Sequence, residues 1–263
     1  MTTPSPNRIY QRLRSHLAYL KLGATADALA GVLDQADGKS HVDVLEQLLG
    51  IEVDATSTRR REARRRLAGL PAPHRIDDFD FDAQPALDQT LIRDLATLRF
   101  VEKTGNVLFI GPPGVGKTML AIGLGHAAID AGHRVYYTTA ADLVARCHKA
   151  AIQGRWDTTM RFFAAPQLLI IDELGYLPMT GEAAASLFQV VNRRYGHGSI
   201  VLTTNRGISQ WGEIFDDPVV AAAMLDRLMH RSVIVPIDGE SYRLRAHQQH
   251  TEDLRKGLND HTQ

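Results

Sequence analysis

The segment GPPGVGKT, from Gly111 to Thr118, constrains the fold more than any other part of the 263-residue chain. Its glycines and final Lys-Thr pair have the spacing of a P-loop. The apolar run NVLFI precedes it and the apolar segment MLAIGLGHAAI follows it, as in a strand, a turn and a helix. Glycines allow several backbone N–H groups to converge on one anion. The segment therefore predicts a phosphate-binding loop, and a chance glycine-rich turn is the alternative.

The P-loop pattern gives its residues expected parts in holding a nucleotide. The backbone N–H groups and the N-terminal end of the following helix would face the phosphates. Lys117 would reach the β- and γ-phosphates, and the Thr118 hydroxyl would bind Mg²⁺. We therefore predict ATP and Mg²⁺ as cofactors. The predicted nucleotide-binding residues are Gly111, Pro112, Pro113, Gly114, Val115, Gly116, Lys117, Thr118 and Met119.

A second apolar run, Leu168–Ile171, ends in the carboxylates Asp172 and Glu173. Unpaired charge is costly to bury, so packing alone explains this pair poorly. Beside a P-loop, Asp172 is expected to hold Mg²⁺ through water and Glu173 to act as the base that polarises the attacking water. Two exposed acids at the start of a loop are the alternative.

A third polar group, in the segment TTNR, follows the apolar run that starts at Ser199. The amide of Asn205 is placed to orient a water near the γ-phosphate. Asparagine is also common where strands end in turns, so this motif is informative only together with the first two.

Five short apolar runs alternate with helical segments beyond residue 105. Continuous apolar strands are typical of a parallel sheet that is buried on both faces. We therefore predict an α/β fold for residues 106–263, with residues 71–105 as linker and start of this domain. The predicted strands are 106–110, 134–138, 168–171, 199–203 and 232–237.

The first 70 residues are predicted to be entirely helical, with the break at Pro71-Ala-Pro73. Ser40 and Asp43 are expected to cap the third helix, which would bury Val42, Leu45, Leu48 and Leu49. Its arginine-rich end would have an apolar stripe formed by Ala63, Leu67 and Leu70.

Positive charge is concentrated in this helical part. The chain is neutral overall, but residues 1–75 contain twelve Lys/Arg and eight Asp/Glu. A dense basic segment predicts contact with DNA phosphates, which would be insensitive to base sequence. A solvated linker helix, or docking on an acidic partner, is the alternative. The predicted DNA-binding residues are Arg59, Arg60, Arg61, Arg64, Arg65 and Arg66.

Cys147 is the only cysteine, so no disulfide can form within the chain. No run approaches the roughly 18 apolar residues of a membrane helix, and the first residues lack a secretory signal. We expect a cytoplasmic protein without a membrane partner, associated with the nucleoid when it is on DNA.

The motifs LLIIDELGYLP, FQVVNRRYGHGSIVLTTNR, DRL and ESYR, with the P-loop, resemble the IstB family of insertion-sequence ATP-binding proteins. These are AAA+ ATPases related to the DnaC-type helicase loaders. The resemblance implies that Asn205 senses the γ-phosphate and that Arg227 is an arginine finger acting on a neighbouring subunit. Arg227 paired with an acid on its own helix is the alternative.

The resemblance also bears on the edges of the ATPase domain. Phe79 and Phe81 resemble the segment that packs near adenine, and core packing explains them equally well. Only about 26 residues follow Ile237, so the helical lid of AAA+ proteins is expected to be reduced or absent. Arg243 is either a sensor arginine or an anchor of the tail.

Three functions are compatible with these features. The resemblance favours a transposition helper that assembles on double-stranded DNA as an ATP-dependent homo-oligomer, a ring or spiral, and serves a cognate transposase. A replicative helicase loader acting with single-stranded DNA is the second. A small-molecule P-loop kinase is the third, and the Asp172-Glu173 pair and the helical N-terminal part argue against it.

Overall fold

The computed structural model describes residues 6–179, 181–215 and 217–242. Contacts between residues divide the chain into two compact units, one up to Ala63 and the other from Arg64 onward. The domain boundaries predicted at residues 70 and 105 stay predictions. Within the described ranges, no helix has the length and apolarity needed to cross a membrane.

The first unit is helical, as predicted. It contains α1 (Pro6–Tyr19), α2 (Gly23–Asp34) and the greater part of α3 (His41–Ala68). The cap predicted at the start of α3 is present, because the Ser40 N–H donates to Asp43 Oδ2 at 3.0 Å and the Asp43 N–H donates to Ser40 Oγ at 3.2 Å. This reciprocal arrangement satisfies two backbone donors at the end of the helix.

The apolar face predicted for α3 is wrong. Leu48 is buried, but Val42 is 72% exposed, and Leu45 and Leu49 are exposed as well. The small core of this unit is formed by Leu29, Val32 and Leu48, with Val44 and Ile51 of α3 packed beside them. Apolar residues recur at helical spacing on two neighbouring faces of α3. Residues Leu29 and Val32 of α2 pack against the face that contains Val44, Leu48 and Ile51.

The second unit is a parallel α/β sheet, and the predicted fold class is confirmed. Its five strands are β1 (Asn106–Ile110), β2 (Val135–Thr139), β3 (Leu168–Leu174), β4 (Ser199–Thr204) and β5 (Ser232–Pro236). They pair in the order β2-β3-β4-β1-β5, and all four pairings are parallel. The carboxyl ends of all strands therefore meet at one edge of the sheet.

Helices cover both faces of this sheet, in the doubly wound arrangement. They are α4 (Gln89–Ala96), α5 (Arg99–Glu102), α6 (Lys117–Asp130), α7 (Ala140–Ile152), α8 (Trp156–Ala164), α9 (Glu182–Arg194), α10 (Trp211–Phe215) and α11 (Pro218–Met229). Two separate apolar cores result: Phe109 and Ile170 face α6 on one side, while Leu108 and Ile171 face the opposite core. After β5 the described chain continues only to Tyr242, and this stretch contains no helical lid.

The end of α3 and the segment after it pack against α6, the helix that follows the P-loop. The predicted stripe is wrong at Leu67, which is exposed, and Ala68 is the buried residue. Leu70 packs against Gly125, where a β-carbon would lie 3.0 Å from the Leu70 side chain. The Ala72 carbonyl accepts a hydrogen bond from His126 Nε2 at 2.9 Å. These contacts bring residues 70–79 alongside the P-loop.

Candidate functional site

A cavity of about 620 Å³ lies at the carboxyl edge of the sheet, beside the P-loop. Pro113 to Met119 line it on one side, and Glu173 and Tyr176 line it near the end of β3. A cavity of this size is typical of small-ligand sites. Of the predicted nucleotide-binding residues, seven line the cavity, while Gly111 and Pro112 do not line it and contact Lys117 through their carbonyl groups.

The P-loop has the backbone that its glycines permit. Gly114 and Gly116 have φ values of +87° and +97°, which side chains with a β-carbon rarely adopt. At Gly111 a β-carbon would overlap the carbonyl oxygen of Ile237, just after β5. The glycines are therefore required both for the curled loop and for its close approach to β5.

Lys117 is buried beneath this loop. Its Nζ donates hydrogen bonds of 2.7 Å to the carbonyl oxygens of Gly111 and Pro112. The ammonium group thus lies against the loop, and Lys117 is one of the residues that line the cavity. A buried cation among backbone dipoles suits an anionic ligand.

Asp172 is 1% exposed, and three hydroxyl groups surround its carboxylate. Thr118 Oγ1 donates to Oδ1 at 3.0 Å, and Tyr137 Oη donates to Oδ2 at 2.6 Å. The Thr203 hydroxyl makes a short hydrogen bond to Oδ1. The geometry brings the two predicted metal ligands, Thr118 and Asp172, into direct contact.

Tyr137 and Thr203 were missed by the sequence reasoning. Burial, followed by the hydrogen bond to Asp172, raises the pKa of Tyr137, so this phenol stays protonated and donates at neutral pH. The signal in the sequence was the presence of polar residues in the last three positions of β2 and the last two positions of β4. Parallel pairing of β2, β3 and β4 places all of these residues at one edge.

Glu173 lies in a β-bulge. Between Ile171 and Leu174, β3 has one residue more than the facing stretch of β4, and Glu173 has a φ of +63°. Bulges next to functional sites redirect side chains. Here the bulge leaves Asp172 buried and Glu173 exposed to the cavity, so the two adjacent acids have different environments.

Asn205 follows β4, and its Oδ1 is buried without a hydrogen-bond partner among the described residues. The atom is near Gly175, where a β-carbon would lie 3.4 Å from it. A buried amide oxygen without a partner calls for an explanation such as a ligand, an ion or a water. Asn205 is thus beside the bulge but outside the lining of the cavity.

Phe79 and Phe81 have different surroundings. Phe79 is buried, packs on Gly116 and lines the cavity, whereas Phe81 packs edge-to-face on Phe79 with ring centroids 5.0 Å apart and does not line it. Phe79 therefore suits the predicted place beside a base, and Phe81 supports it from the core. Gln84 and Tyr242, which the sequence reasoning missed, also line the cavity.

Arg227 lies at the opposite edge of the sheet. It lines a small cleft with Asn106, the first residue of β1, and Arg231, which precedes β5. A strand of five residues spans about 16 Å, so Arg227 is remote from the P-loop of its own chain. Its Nε donates to Asn192 Oδ1 at 2.8 Å, and no carboxylate of the described residues forms an ion pair with it. The alternative of an acid partner on its own helix is thus not observed.

The predicted DNA-binding arginines have three kinds of surroundings. Arg59 Nη2 contacts Glu52 Oε1 at 2.6 Å, and Arg65 Nη2 contacts Asp130 Oδ1 at 2.7 Å. Arg64 is partly buried, and its Nε has no partner within the described chain. The three exposed arginines, which form no ion pair with a described residue, are Arg60, Arg61 and Arg66. Arg243 lies outside the described residues.

Asp130 joins two segments that precede the sheet. It contacts Arg65 and also Arg75, whose Nη1 is 3.0 Å from Asp130 Oδ2. Partial burial opposes ionisation of Asp130, but the two arginine hydrogen bonds outweigh it and lower its pKa. Because Asp130 is the last residue of α6, these pairs tie residues 65 and 75 to the P-loop helix.

The residues present fit a magnesium nucleotide. Within the described ranges, no cluster of three or more His, Cys, Asp or Glu side chains could hold a metal alone. Mg²⁺ in nucleotide sites needs few protein ligands, because waters and phosphates complete its shell. Thr118 with Asp172 meets that requirement, while the curled loop and Lys117 suit phosphate groups.

Known proteins are similar to this chain in sequence. The IstB-like ATP binding protein family model matches residues 15–250. An insertion sequence IS5376 protein of Geobacillus stearothermophilus, described as ATP-binding, is 43% identical over 237 residues, 89% of this chain and 94% of that protein. The corresponding IS21 protein of Pseudomonas aeruginosa is 43% identical over 87% of each chain.

A solved structure confirms the fold at lower identity. AMPPCP-bound DnaA from Aquifex aeolicus has a TM-score of 0.55 and 18% identity, over 70% of this chain and 56% of that one. This likeness concerns the AAA+ fold alone. On the match over residues 15–250 and the two relatives, the chain belongs to the IstB-like ATP binding protein family.

Proposed function

We propose that the protein is a DNA-binding AAA+ ATPase that assembles on duplex DNA and assists a transposase in target selection and strand transfer. The observation that carries the proposal is that the residues predicted for one ATPase site lie at two opposite edges of the sheet. The P-loop and Glu173 lie at the carboxyl edge, and Arg227 lies at the other. Such a protein completes its site only by contact between copies.

The cavity would hold the nucleotide. The P-loop N–H groups and Lys117 would bind the β- and γ-phosphates, and Phe79 would flank the base. Thr118 and Asp172 would hold Mg²⁺, which supplies charge neutralisation at the phosphates when it is bound. The contact between Thr118 and Asp172 supports this assignment.

Glu173 would serve as the general base of hydrolysis. It would accept a proton from water as the water oxygen bonds to the γ-phosphorus and the bond from that phosphorus to the β–γ bridging oxygen breaks, leaving its electron pair on ADP. Asn205 would orient the water through its amide oxygen, which has no hydrogen-bond partner among the described residues, or sense the γ-phosphate by donating from its side-chain NH₂ group. Exposure of Glu173 to the cavity, beside a buried Asp172, supports the separate roles.

Arg227 would act on the nucleotide of a neighbouring copy. An arginine finger stabilises transition-state charge and commonly raises the rate about 10³–10⁵-fold. Arg227 Nη1 and Nε have only neutral oxygen partners in the described structure, those of Ala223 and Asn192. An arginine held by neutral groups keeps its charge available to a phosphate. Repetition of this contact would generate a homo-oligomeric ring or spiral.

The arginines of α3 would bind the DNA backbone. The three exposed arginines have no competing carboxylate in the described structure and are the first candidates, while Arg59 and Arg65 would have to exchange their acids for phosphates. Arginine–phosphate contacts do not read base sequence, so they suit a protein that accepts many DNA targets. The relatives are insertion-sequence proteins, which supports a cognate transposase as the partner.

The direct test measures binding of labelled duplex and single-stranded DNA with ATP, ADP or no nucleotide, while particle mass is followed in parallel. The proposal predicts large assemblies on duplex DNA with ATP, and small particles with ADP. Lys117→Ala provides the control without bound nucleotide. Preference for single strands, or assembly only with a helicase, would replace the transposition role by that of a helicase loader.

A further inference from the structure

The hydroxyl group of Thr203 lies between the two acidic residues of the site. It accepts a hydrogen bond from the Glu173 N–H at 3.0 Å and donates its own proton to Asp172 Oδ1. Thr203 is 1% exposed, so water does not compete for this hydroxyl. One side chain of β4 therefore joins the backbone of Glu173 to the carboxylate of Asp172.

The bulge explains why Glu173 needs this partner. The extra residue in β3 removes the partly buried Glu173 N–H from regular pairing with β4, so this backbone donor needs another acceptor. Glu173 also has a φ of +63°, a conformation that non-glycine residues adopt only when surrounding contacts impose it. The Thr203 hydroxyl is the acceptor that the fold provides at that position.

Tyr137 provides a natural comparison. Its phenol donates to Asp172 Oδ2 at 2.6 Å from β2, where Thr139 pairs with Asp172. Like Thr203, it holds the carboxylate of Asp172, but it has no hydrogen bond to Glu173. The two hydroxyls thus share one contact and differ in the other.

We propose that Thr203 is the positioning residue that sets the Glu173 base for hydrolysis, through the hydrogen bond that fixes the bulge. Its second contact, with Asp172, couples the base to the metal-binding carboxylate. Tyr137 positions Asp172 alone. The inference rests on the proposed ATPase function, in which Glu173 is the base and Asp172 holds Mg²⁺.

The test compares Thr203→Val, Thr203→Ser and Tyr137→Phe with wild type. At saturating Mg²⁺, we expect Thr203→Val to lower kcat about 10- to 100-fold, Tyr137→Phe to lower it at least threefold less than Thr203→Val does, and Thr203→Ser to keep it within about threefold of wild type. Binding of a fluorescent ATP analogue is measured separately during Mg²⁺ titration. Both Thr203→Val and Tyr137→Phe should raise the Mg²⁺ concentration needed for half-maximal binding, by similar factors.

Equal losses of kcat in Thr203→Val and Tyr137→Phe would overturn the inference, because Thr203 would then act only through Asp172. A kcat within threefold of wild type for Thr203→Val would overturn it as well. So would a loss of kcat in Thr203→Ser that is as large as the loss in Thr203→Val. Thermal melting and ATP-analogue binding verify folding, and Thr203→Ala serves if the valine variant does not fold. Wild type without hydrolysis would refute the proposed ATPase itself, whereas hydrolysis by wild type together with an unaltered kcat of Thr203→Val would overturn only the role of Thr203.

Discussion

Arg194 offers the sharpest test of how the sheet is held together. It is 1% exposed, and its guanidinium donates to the carbonyls of Phe163 at 2.7 Å, Pro166 at 2.9 Å, Gln167 at 3.2 Å and Ser199 at 2.7 Å. Gln167 precedes β3 and Ser199 begins β4. Arg194 therefore joins the starts of the two strands whose other ends form the candidate site.

Replacing Arg194 by methionine keeps most of the volume and removes these hydrogen bonds. The carbonyls of Phe163, Pro166 and Ser199 would lose their Arg194 donor, at a cost of about 1–3 kcal/mol each, whereas the Gln167 carbonyl would keep the Ser199 N–H as donor. The variant no longer buries a charged guanidinium, and the desolvation cost that this removes offsets several kcal/mol of the loss. We expect a net loss of about 3–5 kcal/mol in the free energy of unfolding. For a unit of this size, that lowers Tm by about 10 °C.

The assay is thermal and urea denaturation of the variant beside Arg193→Met, the matched control. Arg193 is the preceding residue of the same helix, and its ion pair with Asp157 at 3.5 Å is exposed. The control should lose at most about 1 kcal/mol. A Tm within 3 °C of wild type for Arg194→Met would refute the reasoning.

The difference in the free energy of unfolding between wild type and Arg194→Met should not depend on pH near neutrality. Burial lowers the pKa of Arg194 from its ordinary value to about 10, so the group remains protonated in both folded and unfolded chains below pH 9. A folded pKa below the unfolded one makes stability increase with pH only from about 10 up to the ordinary pKa of arginine. The difference between wild type and variant should therefore stay constant from pH 6 to pH 9.

Three further predictions concern the site and the basic helix. Glu173→Gln should bind ATP and DNA but keep the assembly together, and rapid release of DNA in a dissociation assay would contradict the role of Glu173. Asp130→Asn should lower stability by up to about 1 kcal/mol at neutral pH. Because the pKa of Asp130 is lowered, this difference should vanish only as pH falls below the ordinary aspartate value of 3.8, and a difference that persists in acid would contradict the ion-pair explanation. Replacing the three exposed arginines by glutamine should weaken duplex binding and reduce the slope of log K against log salt by about 3, whereas Arg193→Gln should leave both unchanged. An unaltered slope in the triple variant would exclude these residues as phosphate contacts.

Much of the second unit was predictable because its signals are local. An apolar run followed by glycines fixed β1, the P-loop and α6, and the predicted start of α6 at Lys117 is the observed one. The strand boundaries agree within one residue at most ends. β3 is the exception, because its pairing continues through Asp172 and Glu173 to Leu174, where a bulge accommodates the polar pair.

The remaining features depend on contacts between distant segments. Nothing in the local pattern of α3 distinguishes the face of Val44 from that of Val42, because both have helical spacing. The partners of Asp172 lie on β2 and β4, and only the strand order brings Tyr137 and Thr203 to it. Likewise, the sequence alone could not show that Arg59 forms an ion pair with Glu52 and that Arg65 forms one with Asp130.

The central claim is that a second copy completes each ATP site, and mixed assemblies test it most directly. Arg227→Ala retains the cavity and lacks the finger, whereas Lys117→Ala lacks a functional P-loop and retains Arg227. Steady-state ATP hydrolysis is measured for each variant alone and for an equimolar mixture on duplex DNA, with particle mass confirming that both copies enter one assembly. We expect hydrolysis in the mixture and almost none in either variant alone. Mixed assemblies without hydrolysis, or Arg227→Ala as active as wild type, would contradict the account.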